Sequence, residues 1–121
     1  MVKTQGLTHI HLAVRDLKRS LQFYTRVFGM KESFRVGRTM VFLNTPGSRD
    51  LVTLRKAGAG EPAGDGGGIA HFGFRLDDGQ GLDAAVREVV AAGGALVERG
   101  EHRPGEPYAY VRDPDGYVIE L

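Results

Sequence analysis

The chain has 121 residues, of which 41% are hydrophobic and 26% are charged, values typical of one globular domain. Sixteen Lys and Arg residues against fifteen Asp and Glu residues give a formal net charge of +1, which argues against nucleic acid as a partner. The absence of cysteine excludes disulfides and thiolate chemistry, and no apolar run is long enough to cross a membrane, so we expect a cytoplasmic protein.

The first half of the chain predicts a strand, a helix and three further strands. Apolar and polar residues alternate in THIHLAV, residues 8–14, and this places His9 and His11 on one face of a strand. Asp16 is a candidate N-cap of the following helix, and Gly29 ends its run of apolar residues at helical spacing. The three further strands are predicted in SFRVG (33–37), TMVFLN (39–44) and LVTLRK (51–56).

The second half repeats this order after AGAGEPAGDGGG, residues 57–68, whose composition predicts a flexible connector. A strand is predicted in IAHFGFRL, residues 69–76, followed by a helix that ends at Gly93. One side of this helix is predicted to carry Leu82, Val86, Val89 and Val90. Three final strands are predicted in ALVERG (95–100), YAYVRD (108–113) and YVIEL (117–121), the last two joined by the turn RDPDG.

The two halves are therefore predicted to be a duplication within one α+β domain that spans residues 1–121. Each module has the order βαβββ, the first over about 5–56 and the second over about 69–121. The interval from His9 to Gly29 is 20 positions, and that from His71 to Gly93 is 22. Alignment of the closing strands sets Thr53 against Glu120. Because neither module can bury its sheet alone, we expect the two to pack together or against a second chain.

His9, His71 and Glu120 are candidate ligands of a divalent metal. The repeat gives the two histidines equivalent places, and Glu120 lies on the last strand of the second module. Two imidazoles and one carboxylate form a facial set that leaves coordination positions open for substrate or water. The alternative is that each histidine is a hydrogen-bonded, half-buried strand residue.

These residues lie in two stretches that resemble the vicinal oxygen chelate superfamily, which includes glyoxalase I, bleomycin-resistance proteins and extradiol dioxygenases. LTHIHLAVRDLKRSLQFYTRVFGM, residues 7–30, resembles the family's first strand and helix, and YVRDPDGYVIEL, residues 110–121, resembles its closing strands. The resemblance implies two βαβββ modules that form a half-open barrel, the glyoxalase/bleomycin resistance/dioxygenase fold. It also implies a metal on His9, His71 and Glu120 that is chelated by adjacent oxygens of a small-molecule substrate.

Two positions separate members of this family. The resemblance implies that a glyoxalase-type site has four protein ligands. The position that matches the fourth ligand is Thr53 in this chain, which disfavours such a site. The stretch GEHRPGEPYAYVRDPDGYVIE, residues 100–120, resembles the extradiol signature, with Ala109 at its aliphatic position. That resemblance implies that His102 and Tyr110 contact a catecholate or dioxygen. The resemblance also implies an additional acid-base histidine, which has no match in SRDLVTLRK, residues 48–56. Asp50 lies near the position where that histidine would be.

His11 and Arg75 are candidate substrate-binding residues. His11 shares the strand face of His9, from which it could donate to a bound oxygen or act as an acid or base. Arg75 shares the predicted face of His71 and could hold a substrate carboxylate. The alternatives are a histidine that only lines the cavity and an arginine that is solvated at the strand end.

The sequence thus predicts a metal-dependent enzyme of the glyoxalase/dioxygenase superfamily, and the extradiol-like stretch favours an oxidoreductase of the dioxygenase type. The alternatives are a drug-binding protein of the bleomycin-resistance type and a glyoxalase-like lyase or isomerase. The dioxygenase likeness favours Fe²⁺, and Mn²⁺, Zn²⁺, Ni²⁺ and Co²⁺ suit the same ligands. We expect a homodimer, in which His9 joins His71 and Glu120 either within one chain or across two.

Overall fold

The computed structural model describes residues 1, 3, 5, 7–67, 69 and 71–121, which form two four-stranded sheets and two α-helices. The α+β class predicted from the sequence is confirmed, and the sheets are not closed into a barrel. Gly68 of the predicted connector and Ala70 of the predicted strand lie outside the described residues. Within the described part of the chain, no helix is long and apolar enough to cross a membrane.

Each sheet is built from one βαβββ module. The elements of the first module are β1 (Ile10–Val14), α1 (Leu17–Phe28), β2 (Lys31–Val36), β3 (Met40–Asn44) and β4 (Val52–Lys56). The elements of the second are β5 (Phe72–Gly73), α2 (Leu82–Ala91), β6 (Ala95–Glu101), β7 (Pro107–Arg112) and β8 (Val118–Glu120). A short 3₁₀ turn, Gly64–Gly67, lies between the modules.

The strand order is the same in the two sheets, β1-β4-β3-β2 and β5-β8-β7-β6. The first strand of each module pairs in parallel with the last, and this pairing sets His11 beside Thr53 and Gly73 beside Glu120. The alignment of Thr53 with Glu120 that the sequence predicts therefore holds in the register of the sheets. Among the described residues, no further strand pairs with the free side of β1 or of β5, so each is a sheet edge.

Local signals position the two helices. Asp16 caps α1 by accepting a hydrogen bond from the backbone N–H of Arg19 at 3.0 Å, and Gly29 ends the helix in a left-handed conformation with φ of 62°. In α2, Val86 and Val89 face the core as predicted, whereas Val90 is 52% exposed. The prediction for Val90 is wrong because α2 is covered on one narrow side only.

One hydrophobic core joins both modules. On β1, Leu12 and Val14 are fully buried and alternate with His11, which is exposed. On β7, Ala109 and Val111 are fully buried and alternate with Tyr108 and Tyr110. Since side chains alternate across a sheet, each sheet turns one face to the core and the helices, and the other, which we call its outer face, away from them.

A buried polar contact fastens α1 to the turn between β7 and β8. The Tyr24 hydroxyl donates to Asp113 Oδ2 at 3.0 Å, and the Ser20 hydroxyl donates to Asp115 Oδ2 at 2.9 Å. Asp113 Oδ1 also accepts the backbone N–H groups of Asp115 and Tyr117, both at 2.9 Å. The turn sequence DPDG thus serves both as a chain reversal and as the contact between the modules.

The connector carries structure of its own. Glu61 pairs with Arg55 at the end of β4, and Asp65 accepts from Arg112 on β7 at 3.1 Å. Gly64 has a positive φ of 78° and lies against the β7–β8 turn, where an added Cβ would be 2.6 Å from the carbonyl oxygen of Asp115. The polar side chains within this Gly-rich stretch therefore attach it to both modules.

Candidate functional site

The outer face of the second sheet carries a cluster of ring and carboxylate side chains. Gly73 and Tyr110 flank Glu120 in register, one on each neighbouring strand. Gly73 lies close to Glu120, since an added Cβ would be 3.2 Å from the Glu120 carbonyl oxygen, and His71 lies two residues before Gly73, just ahead of β5. The alternation of β5, β7 and β8 therefore brings residues from three separate parts of the sequence to one face.

Glu120 lies between two imidazoles. Its Oε2 atom is 3.3 Å from Nε2 of His71, and its Oε1 atom is 2.6 Å from Nε2 of His102. The side chains of His71 and Glu120 keep 43% and 26% of their exposure, so solvent reaches the pair. An imidazole nitrogen and a carboxylate oxygen that converge at an open surface are donors suited to a divalent cation.

Tyr110 packs beside this pair. Its ring centroid is 4.9 Å from that of His71, at an interplanar angle of 58°. Desolvation, and then the charge of the Glu120 carboxylate, raise the pKa of Tyr110 above its ordinary value of 10.0. The phenol therefore remains a protonated hydrogen-bond donor at neutral pH.

His11 lies on β1 of the first sheet, His9 lies just ahead of this strand, which begins at Ile10 and not at residue 8 as predicted, and both have other partners. The Nδ1 atom of His9 is 2.8 Å from the Oγ1 atom of Thr8. His11 Nε2 accepts a hydrogen bond from Nε of Arg55 at 3.2 Å, so this nitrogen carries no proton. Arg55 in turn pairs with Glu61, and this contact lowers the pKa of Glu61 to about 2.

Thr53 occupies the position that matches Glu120 in the first module. It is fully buried beside His11 and Phe42, and its Oγ1 atom has no hydrogen-bond partner among the described residues. A buried hydroxyl without a partner is unfavourable by about 1–3 kcal/mol. The Thr53 hydroxyl thus lies at the position where the repeat would place a fourth metal ligand.

The predicted triad is not assembled within one chain. Among the described residues, no group of three His, Cys, Asp or Glu side chains could hold a metal ion. The structure brings together His71 and Glu120, and it adds His102 to them, while His9 lies just ahead of β1 of the other sheet. One chain therefore offers two converging donors of the three that the sequence predicts.

Arg75 lies beyond the end of β5 and lines a cavity of about 560 Å³ between the modules. His9 lines the same cavity, together with the stacked rings of Phe28 and Phe74, whose centroids are 4.1 Å apart. Arg75 and His71 thus diverge, although the sequence predicts one strand face for both, because β5 ends at Gly73.

The contacts of three residues around His102 were not predicted from the sequence. Its ring stacks on Tyr108 with centroids 4.5 Å apart, and the Tyr108 hydroxyl donates to Glu98 Oε1 at 2.8 Å. Gly100 lies beneath the Tyr108 ring. The alternation of Glu98, Gly100 and His102 along β6 was the available signal, since it places all three on one strand face.

The fold and the set of metal donors define a class of protein to which known proteins belong. The model of the Glyoxalase/Bleomycin resistance protein/Dioxygenase superfamily matches residues 6–121. The chain belongs to this superfamily, as its two open βαβββ modules indicate.

Relatives with different names are about equally similar to the chain. A probable lactoylglutathione lyase of Vibrio cholerae is 33% identical, over 95% of this chain and 88% of the relative. The catechol-2,3-dioxygenase of Bacillus subtilis is 34% identical over 94% of this chain, which spans only 41% of that enzyme. These identities establish the superfamily, and they do not distinguish between the reactions of its members.

Solved structures agree on the fold. A glyoxalase/bleomycin resistance protein from Albidiferax ferrireducens has a TM-score of 0.72 at 26% identity, with 94% of each chain covered. The fosfomycin resistance protein FosX of Listeria monocytogenes has a TM-score of 0.77 at 21% identity, over 98% of this chain and 93% of that one. The second likeness concerns the fold alone.

Proposed function

We propose that the protein is a divalent-metal-dependent enzyme that binds a small molecule through two adjacent oxygens. The reaction that we propose is the cleavage of a catechol ring by dioxygen. The observation that carries this proposal is the position of Glu120, whose two carboxylate oxygens each face a histidine and whose neighbour in register is Tyr110. A drug-binding protein of the bleomycin-resistance type would not need this grouping of donors at an open surface.

The metal would be held by His71 and Glu120 of one chain and His9 of a second. A cation there would favour the ionised form of two adjacent substrate oxygens, most plainly for Fe²⁺ in a dioxygenase. Tyr110 would donate to the oxygen on which negative charge develops, since its hydroxyl stays protonated. Arg75 would contact the substrate further from the metal, from its place on the cavity wall. His11, which accepts from Arg55, would contact the substrate from the outer face of the first sheet.

A second copy of the chain supplies the missing half of this site in our proposal. The outer face of the first sheet leaves Phe34 and Val36 about half exposed, at 47% and 54%, and Phe34 stacks on Phe42 with centroids 4.2 Å apart. Both β1 and β5 have an open edge, and exposed sheet edges and apolar patches favour association. A symmetric homodimer would place His9 of each copy opposite the His71–Glu120 pair of the other.

A glyoxalase-like lyase is the second candidate, because a relative with that name is matched over most of its length. Thr53 weighs against a four-ligand site of that kind, since a neutral hydroxyl is a poor ligand. Tyr110, a protonated donor in register with Glu120, is the residue that favours the dioxygenase.

Metal analysis followed by two assays tests the proposal. We expect about one divalent ion per chain, and oxygen uptake with at least one member of a panel of substituted catechols under Fe²⁺ loading. Loss of the hemithioacetal of methylglyoxal and glutathione without oxygen uptake would favour the lyase. Protein that stays metal-free after incubation with Fe²⁺, Mn²⁺, Ni²⁺, Co²⁺ and Zn²⁺ would rule out both.

A further inference from the structure

The contact between His102 and Glu120 departs from the role that the extradiol likeness implies for His102. Instead of facing an open cavity, the Nε2 atom of His102 is within hydrogen-bond distance of a Glu120 carboxylate oxygen, at 2.6 Å. A carboxylate only accepts hydrogen bonds, so Nε2 is the protonated nitrogen of this histidine. The second oxygen of Glu120 is left on the side of His71.

Tyr108 holds the His102 ring in this place. The two rings are nearly parallel, with an interplanar angle of 23° and centroids 4.5 Å apart. The far end of Tyr108 is fixed by its hydrogen bond to Glu98, which also raises the pKa of Tyr108 and keeps the hydroxyl protonated. A second tyrosine, Tyr110, lies next to Tyr108 at 5.2 Å between centroids and limits its motion from the other side.

Gly100 makes room for the Tyr108 ring. A Cβ atom added at Gly100 would lie 2.7 Å from the Tyr108 hydroxyl oxygen, 2.8 Å from Cζ and 2.9 Å from Cε1. Such distances are shorter than real Cβ contacts, so any other residue would push the ring aside. The φ angle of Gly100 is not in the left-handed region, so backbone geometry does not require a glycine there. The close approach of the Tyr108 ring does.

We infer that Tyr108, seated on Gly100 and tied to Glu98, is a positioning residue that keeps His102 on Glu120, so that one carboxylate oxygen is occupied and the other remains available to a metal. This inference rests on the proposed metal site and adds the group that orients its carboxylate. Hydrogen bonds to metal ligands of this kind change metal affinity by about 10–100-fold when they are removed.

Co²⁺ titration of the purified apo-protein tests this inference without any assay of turnover. We expect His102→Ala, Tyr108→Leu and Gly100→Ala each to weaken Co²⁺ binding about 10–100-fold. Tyr108→Phe keeps the ring stack and loses only the bond to Glu98, so it should weaken Co²⁺ binding less than Tyr108→Leu does. Two controls should bind as the wild type: Arg103→Ala in the same hairpin loop, and Gly66→Ala, where an added Cβ meets nothing within 4 Å.

A second readout follows the His102 ring itself. In ¹⁵N-labelled wild-type protein we expect a slowly exchanging Nε2–H proton on His102, absent in Tyr108→Leu and Gly100→Ala and present in Tyr108→Phe. If the wild type binds Co²⁺ and Tyr108→Leu and Gly100→Ala bind it equally tightly, the inference is wrong and the metal site stands. If the wild type does not bind Co²⁺, the metal site is wrong and the inference is overturned with it.

Discussion

Tyr110 and Glu120 face each other in register across β7 and β8, and the carboxylate helps to keep the phenol protonated. The neutral Tyr110 hydroxyl would lie beside the proposed substrate oxygens as a hydrogen-bond donor before negative charge develops on them. We expect Tyr110→Phe to lower kcat for catechol cleavage by about 10²–10³-fold, because one donor to the developing oxyanion is lost. Metal content should remain that of the wild type, and an unchanged kcat would remove Tyr110 from the reaction.

The buried Thr53 hydroxyl gives a prediction about stability. Its Oγ1 atom has no partner among the described residues, so the nearly isosteric change Thr53→Val removes an unfavourable buried group. We expect the free energy of unfolding of the metal-free protein to rise by about 1 kcal/mol in urea titration. Thr25→Val is the matched control and should bring no such gain, since the Thr25 hydroxyl donates to the Leu21 carbonyl at 2.8 Å.

Asp115 is expected to hold the modules together. Its buried carboxylate accepts hydrogen bonds from the Ser20 hydroxyl at 2.9 Å, from the Arg19 guanidinium at 3.0 Å and from the backbone N–H of Arg15 at 3.0 Å. Asp115→Ala leaves these donors without an acceptor, and we expect it to lower the free energy of unfolding by about 2–4 kcal/mol. Glu106→Ala, which breaks an exposed pair with Arg103, should unfold at the same urea concentration as the wild type.

Tyr24 should make the fold sensitive to alkali. Burial, and then the neighbouring Asp113 carboxylate, raise the pKa of Tyr24 well above 10.0. A group whose pKa is raised on folding stabilises the protein below its unfolded-state pKa, and this contribution is lost as the pH rises further. Above about pH 10 we therefore expect stability to fall by up to about 1.4 kcal/mol per pH unit through Tyr24.

Tyr24→Phe isolates this effect. The variant should be less stable than the wild type at pH 7, because the bond to Asp113 is lost, and its stability should fall less steeply between pH 10 and 11. Urea titrations of both proteins across this range give the two slopes. Equal slopes would show that Tyr24 ionises in the folded state as it does in the unfolded chain.

The elements and the repeat could be predicted because their signals are local. Asp16 and Gly29 mark the ends of α1 through backbone geometry that depends only on near neighbours. The equivalence of Thr53 and Glu120 also followed from the sequence, since the closing strands could be aligned, and the register of the parallel pairs agrees with it. Comparison of residues 8–14 with residues 69–76 then distinguished His9, whose counterpart is His71, from His11, whose counterpart is Gly73.

The partners of the site residues could not be predicted, because they depend on contacts between distant segments. A bulge between Leu96 and Glu98 shifts the register of β6 on β7, and this shift decides which side chains meet Tyr108 and Tyr110. His102 therefore reaches Glu120, a contact that no spacing within residues 100–120 reveals. The short β5 likewise separates Arg75 from His71.

Mixing two inactive variants tests most directly whether the site is shared between two chains. His9→Ala and Glu120→Ala homodimers should each bind no Co²⁺ at the site. After subunit exchange, each mixed dimer would carry one site built from an intact His9 and an intact His71–Glu120 pair. We predict that Co²⁺ binding and oxygen-dependent turnover recover to about a quarter of the wild-type sites. No recovery after verified exchange would contradict a site shared across two chains.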